Sequence, residues 1–112
     1  MKINDYQEAA LRTAGENNAT KMLMNGALGL CGESGEVADI VKKHLFQGHV
    51  LDNEHIAEEL GDVAWYIAVT AAAIGYDLET VLEMNVNKLW CRYPEGFDPE
   101  KSIHRQEVKK NG

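Results

Sequence analysis

The stretches GLCGESGEVADIVKK (residues 29–43) and EELGDVAWYIA (residues 58–68) decide the fold of this 112-residue chain. Both are rich in helix-forming residues, and each contains two acidic residues spaced three apart. Residues three or four apart share one face of an α-helix, so each stretch presents two carboxylates from a single helical turn. The two pairs are Glu33 with Glu36, and Glu59 with Asp62.

Both acidic pairs lie beside apolar residues and not on a purely polar face. At about 100° per residue, Glu33 lies close to Val37, and Glu59 shares its face with Val63. A glycine stands inside each pair, at Gly35 and at Gly61. Because glycine inside a helix costs about 1 kcal/mol relative to alanine, close packing or the approach of a ligand is the expected reason for it.

The rest of the chain predicts an all-α, four-helix bundle-like fold. Helix-forming residues dominate, and no proline occurs before Pro94. Gly48 favours the end of one helix, and Asp52 or Asn53 favours the start of the next. The predicted helices span roughly residues 5–15 (capped by Asn4 or Asp5), 20–46, 52–75, and 77–93 (capped by Asp77). Residues 1–97 are predicted to form one domain, and residues 98–112 a polar C-terminal tail.

An antiparallel pairing of the second and third helices brings the two acidic pairs together. Glu36 and Asp62 lie about 15 Å and about 14 Å from the connecting turn, at about 1.5 Å per residue. Carboxylates about 4 Å apart repel by about 4 kcal/mol at an effective dielectric constant of about 20, so the cluster needs a cation. Oxygen ligands without histidine or thiolate favour Mg²⁺, with Mn²⁺ as a substitute.

The acidic residues have two other interpretations. A single pair is most often a solvated part of an amphipathic helix, but two pairs at matching depth favour a metal site. A di-iron bundle requires Glu-x-x-His on two helices. The nearest approach is Asp52-x-x-His55, which has no counterpart elsewhere, and the four histidines show no metal-ligand spacing.

Cationic and aromatic residues near these motifs are candidates for substrate binding. Lys43 lies about 20° from the face of Glu36. Metal ions with Lys and Arg commonly bind polyphosphates, although cations near a helix end are also ordinary surface residues. A further polar stripe on the fourth helix consists of Asn85, Lys88 and Arg92. Tyr66 is placed to stack on a base or hydrogen-bond a sugar, although a tyrosine at this position is as often part of the core. Gln7 is placed to reach a base edge, and Trp65 to pack in the core or at a subunit interface.

Composition excludes several classes of function. The formal net charge of −7 argues against nonspecific nucleic-acid binding, which needs a basic surface. The two cysteines, Cys31 and Cys91, are too few for a disulfide scaffold or a zinc site. The N-terminal residues lack the apolar core of a secretion signal, and the most apolar run, residues 63–74, is too short to cross a membrane. We therefore expect a cytoplasmic protein.

The ordered motifs resemble the MazG-like nucleotide pyrophosphohydrolases of the all-α NTP pyrophosphohydrolase superfamily. The resemblance rests on residues 29–43 and 58–68, on NVNKLWCRYPEGF at residues 85–97, and on DYQEAALRTA at residues 5–14. It implies a Mg²⁺-dependent enzyme that hydrolyses an NTP or dNTP to a nucleoside monophosphate and pyrophosphate. It also implies a homodimer or homotetramer, and a role in removing unwanted nucleotides.

The resemblance further implies roles for individual residues. Glu33, Glu36, Glu59 and Asp62 match the metal ligands, and Glu33 or Glu36 is the expected catalytic base. The positions matching substrate-binding residues are Lys43, Tyr66, Asn85, Lys88 and Arg92. Two alternatives remain: a related pyrophosphohydrolase acting on another substrate, such as phosphoribosyl-ATP, and a non-catalytic helical regulatory module.

Overall fold

The computed structural model describes residues 1–15 and 18–105, and the regular secondary structure of these residues consists of helices without a strand. The prediction of an all-α fold is therefore confirmed. The helices are α1 (Ile3–Leu11), α2 (Ala19–Gln47), α3 (Asn53–Ala73), α4 (Leu78–Arg92) and α5 (Pro99–Ile103). In the described part of the chain, no helix is both long and apolar enough to cross a membrane.

The turn between α2 and α3 forms as the sequence predicts. Gly48 has a φ of 72°, in the left-handed region that favours glycine, and its N–H donates to the carbonyl of Lys43 at the end of α2. The Asp52 side chain accepts a hydrogen bond from the N–H of His55 and caps α3. These two ends fix the positions along α2 and α3 from which the acidic residues project.

The first and last helices differ from the prediction. Helix α1 begins at Ile3 and ends at Leu11, and its N-cap is Lys2, which makes no side-chain cap hydrogen bond. The predicted cap at Asn4 or Asp5 is wrong because these residues lie inside the helix. Helix α5 was not predicted; Asp98 caps it and Pro99 fits its first turn. The end of the predicted tail, residues 106–112, lies outside the described residues.

The chain divides into two compact units, residues 1–78 and the part from Glu79 onward. In the first unit, α3 packs against both α1 and α2. Its buried core consists of Ala10, Ala68, Val69 and Leu78, with Tyr6, Ala14, Met22 and Trp65 packed against it. In the second unit, the rings of Tyr93 and Phe97 lie 5.5 Å apart. The predicted domain of residues 1–97 stays a prediction.

Helices α2 and α3 pack tightly at two glycines outside the acidic pairs. A β-carbon added to Gly26 would overlap the hydroxyl of Thr70, and one added to Gly29 would overlap the ring of Tyr66. At Gly35 and at Gly61, an added β-carbon would have no described atom within 4 Å. Close packing is therefore not the reason for the glycines inside the acidic pairs.

Gln7 joins three parts of the first unit from within the core. Its side chain is only 7% exposed. The amide nitrogen donates to the carbonyls of Ala68 and Tyr76, each at 3.1 Å, and the amide oxygen accepts from the N–H of Leu78 at 3.0 Å. The prediction that Gln7 reaches a base edge is wrong, because its amide is committed to the backbone.

Candidate metal centre

Three carboxylates from two helices meet in the first unit. Glu33 projects from α2, and Glu59 and Asp62 project from α3. Each offers an oxygen atom, and these oxygens all lie within 4.8 Å of one another. Glu33 and Glu59 are half-buried, whereas Asp62 is exposed. An acidic cluster from adjacent helices, open to solvent on one side, is a donor set suited to a hard divalent cation.

The acidic neighbours of Glu33 in this cluster affect its pKa. The pKa of Glu33 is raised, first because it shares a hydrogen bond with Glu59 and then because of partial burial. The negative charges of Glu59, Asp62 and Glu36 raise it further. A cation would relieve this repulsion, so the residues fit the divalent metal that the sequence predicts.

Glu36, the fourth predicted ligand, does not belong to this close group. It is exposed, although its charge acts on both Glu33 and Lys43. Glu36 lies one helical turn after Glu33 on α2. It therefore borders the cluster at the end nearer to the connection between α2 and α3. Its role as a ligand or as a catalytic base stays a prediction.

Lys43 is held by an acid that the sequence analysis did not single out. Its ammonium lies 2.8 Å from the carboxylate of Asp39, one turn earlier on α2. This hydrogen bond with Lys43 is the main reason that the pKa of Asp39 is lowered, and Asp39 in turn raises the pKa of Lys43. The i, i+4 spacing of acid and base could have revealed this pair from the sequence.

A cavity of about 290 Å³ opens beside the carboxylates and is lined by Glu33, Asp62, Trp65 and Tyr66. The two aromatic rings meet edge to face, with centroids 4.9 Å apart and planes at 86°. The prediction that Trp65 has a packing role is therefore correct only in part. It packs against the core and donates from Nε1 to the hydroxyl of Thr13, but it also lines this cavity.

Two residues outside the predicted set lie close to the carboxylates. Nε2 of His55 is 3.3 Å from Oε1 of Glu59, one turn along α3. The i, i+4 spacing of His55 and Glu59 is visible in the sequence, although it is not a metal-ligand pattern. Tyr6 belongs to α1, which packs against α3, and its pKa is raised first by burial and then by the charge of Asp62.

The other predicted substrate-binding residues lie on α4, in the second unit. Asn85 and Lys88 are exposed, and Arg92 is half-buried. Nε of Arg92 is buried and has no hydrogen-bond partner among the described residues. Arg92 also lines a cavity of about 450 Å³ that includes residues of α5. The substrate-binding roles of these α4 residues stay predictions.

Comparison with known proteins identifies the same region of the chain. Residues 24–97 match the family model described as the MazG nucleotide pyrophosphohydrolase domain. The chain is also 38% identical over 105 residues to "Gene 37 protein" of Mycobacterium phage L5. This alignment covers 86% of this chain and 92% of that protein. No solved structure matches significantly. The family match contains every predicted metal-binding and substrate-binding residue.

Proposed function

The chain belongs to the MazG nucleotide pyrophosphohydrolase family, and on this basis we propose that it hydrolyses nucleoside triphosphates to nucleoside monophosphates and pyrophosphate in a Mg²⁺-dependent reaction. The substrate is an NTP or a dNTP. The observation that carries the proposal is the meeting of Glu33, Glu59 and Asp62 within 4.8 Å. A non-catalytic module would have no need to keep such mutually repelling acids together.

The carboxylates would hold the metal, with Glu36 completing the set from its position beside Glu33. Mg²⁺ supplies charge neutralisation at the triphosphate and acidifies water when bound; Mn²⁺ is a substitute. The oxygen of a water molecule forms a bond to the α-phosphorus, while the bond from that phosphorus to the oxygen that bridges the α- and β-phosphates breaks. Glu33 or Glu36 accepts the proton of the water, and pyrophosphate leaves.

The remaining residues would bind and orient the nucleotide. Tyr66 contacts the nucleoside from the wall of the cavity, and Trp65 supports it from the adjacent wall. Among the predicted phosphate-binding residues, the cationic side chains of Lys43, Lys88 and Arg92 would offset negative charge on the triphosphate and on the departing pyrophosphate. The uncharged amide of Asn85 would donate a hydrogen bond to a phosphate oxygen.

We also propose that the chain forms a homodimer or homotetramer, and the apolar residues that it leaves exposed support this proposal. Leu28 and Phe46 on α2 are 74% and 79% exposed, and Leu60 on α3 is 53% exposed. Large exposed apolar patches on a soluble protein mark sites of association. The cavity of about 290 Å³ is also slightly below the roughly 300–1,000 Å³ of typical ligand pockets, as expected if further residues complete it.

The test is pyrophosphate release from a panel of NTPs, dNTPs and damaged nucleotides, with Mg²⁺ and with EDTA. The panel includes phosphoribosyl-ATP, because hydrolysis of this compound would identify the chain as a related pyrophosphohydrolase with another substrate. Glu36→Gln and Asp62→Asn should abolish turnover without loss of helicity. Glu58→Gln is the matched control, since Glu58 is an exposed neighbour of Glu59. Full activity in both active-site variants, or activity in EDTA, would overturn the proposal.

A further inference from the structure

His55 lies against Glu59, one of the two half-buried carboxylates of the cluster. Nε2 of His55 is 3.3 Å from Oε1 of Glu59. The Glu59 side chain is 17% exposed, and that of His55 is 50% exposed. The imidazole therefore borders the acidic group from its solvent side without being one of the three clustered residues.

The position of His55 is set by the start of α3. Its backbone N–H donates to Oδ1 of Asp52, the helix cap, at 3.2 Å. Glu59 follows four residues later, so both side chains project from the same face one turn apart. A capped first turn holds the backbone beneath the imidazole, and the ring therefore approaches Glu59 from a fixed direction.

Glu59 needs such a support because its other neighbours in the cluster are acids. Its oxygens face those of Glu33 and Asp62. Without a partner on the opposite side, the repulsion among these groups favours rotation of the Glu59 side chain away from the cluster. An N–H donor on one oxygen leaves the other oxygen directed towards Glu33 and Asp62.

We propose that His55 is a positioning residue for Glu59, donating from Nε2 to one carboxylate oxygen so that the other oxygen is presented to the divalent cation. This inference rests on the proposed function of the cluster. Partners of metal-binding carboxylates orient the ligands, and their removal typically weakens metal affinity about 10- to 100-fold. His55 acts through Glu59 and does not itself bind the metal.

The experiment measures Mn²⁺ affinity of the substrate-free protein by electron paramagnetic resonance. His55→Ala should weaken binding at least about tenfold. His55→Gln should restore binding close to that of the wild type, because glutamine carries an uncharged N–H donor at a similar distance from the backbone. His104→Ala is the control, since Nε2 of His104 also lies near a carboxylate four residues away, that of Glu100 at 3.8 Å, and Glu100 is not one of the clustered acids. Circular dichroism checks that each variant is folded.

The possible results are distinct. Wild-type affinity in His55→Ala, or an equal loss in His55→Ala and His55→Gln, would overturn the role of His55 alone. A nitrogen coupling to Mn²⁺ that disappears in His55→Ala would make His55 a ligand and also overturn it. A wild-type protein that binds no Mn²⁺ would overturn both this inference and the proposed function.

Discussion

Gly29 of α2 lies directly against the ring of Tyr66 of α3, so closely that an added β-carbon would overlap the ring carbons. Tyr66 also forms part of the cavity beside Glu33 and Asp62. The close approach of the two helices therefore sets the position of an aromatic wall of the site. A residue with no side chain determines where Tyr66 lies.

Gly29→Ala should destabilise the protein by about 1–3 kcal/mol, the usual range for overpacking a filled space. The displaced Tyr66 should also raise KM for the nucleotide more than it lowers kcat. The measurements are chemical unfolding and steady-state kinetics. Gly35→Ala and Gly61→Ala are the stability controls, and each should stabilise the helix by up to about 1 kcal/mol because no described atom stands in the way. Equal stability of all three variants would contradict this packing.

Gln7→Met should destabilise the first unit by at least about 2 kcal/mol. The change keeps the approximate size of the side chain but removes the two hydrogen bonds to carbonyls, each of which contributes about 0.5–1.5 kcal/mol. It also removes the partner that Gln7 gives to the buried N–H of Leu78 at the start of α4, and an unpaired buried group costs about 1–3 kcal/mol. Denaturant unfolding measures the effect. Gln47→Met is the control, because Gln47 is exposed at the end of α2. A similar small effect at both positions would show that the Gln7 hydrogen bonds contribute little.

Divalent metal should raise the melting temperature of the substrate-free protein. At about 100 times its Kd, a ligand specific for the folded state adds about 2.7 kcal/mol, or on the order of 10 °C for a domain of this size. Glu33→Gln should raise the melting temperature without metal, because it removes charge repulsion from Glu59 and Asp62. The same variant should lose most of the metal-induced increase. A Glu33→Gln protein less stable than wild type in EDTA would contradict this account.

The Asp39–Lys43 pair should be visible in a pH titration. Its hydrogen bond lowers the pKa of Asp39, so the pair stabilises the fold above the unfolded-state pKa of the carboxyl. That stabilisation is lost as the pH falls through the lower, folded-state pKa. The side chains of Lys43 and Asp39 are 43% and 40% exposed, so solvent weakens the interaction and the effect on stability should be small. Carboxyl ¹³C NMR should show the Asp39 pKa rising in Lys43→Met, and an unchanged value would contradict the pairing.

The helix ends that the sequence predicts correctly are those with a local chemical signal. Gly48 ends α2 and Asp52 caps α3 through hydrogen bonds to residues nearby in the chain. The turn between α2 and α3 could therefore be predicted from the sequence. The start of α1 carries no side-chain cap, and its position was therefore missed. Helix α5 was missed because five residues show no periodicity, although Asp98-Pro99 is itself a start signal.

The candidate site was predictable in its chemistry but not in its packing. Spacing placed Glu33, Glu59 and Asp62 on faces that meet across the helix pair. Which glycines lie at the helix contact depends on how α2 is rotated against α3, and the sequence alone does not specify that rotation. Trp65 was assigned to packing for the same reason, because one large ring can fill the core with one edge and line a cavity with the other.

The hydrogen bonds of Gln7 have a consequence for the order of assembly. Helices α2 and α3 are joined by a short turn, so their acidic residues can meet while the chain is still being synthesised. Gln7 instead hydrogen-bonds to residues that follow it by 61, 69 and 71 positions in the chain. Contacts of such long sequence separation form late because a long loop must close first. Docking of α1 is therefore the step that completes the first unit once Leu78 has left the ribosome.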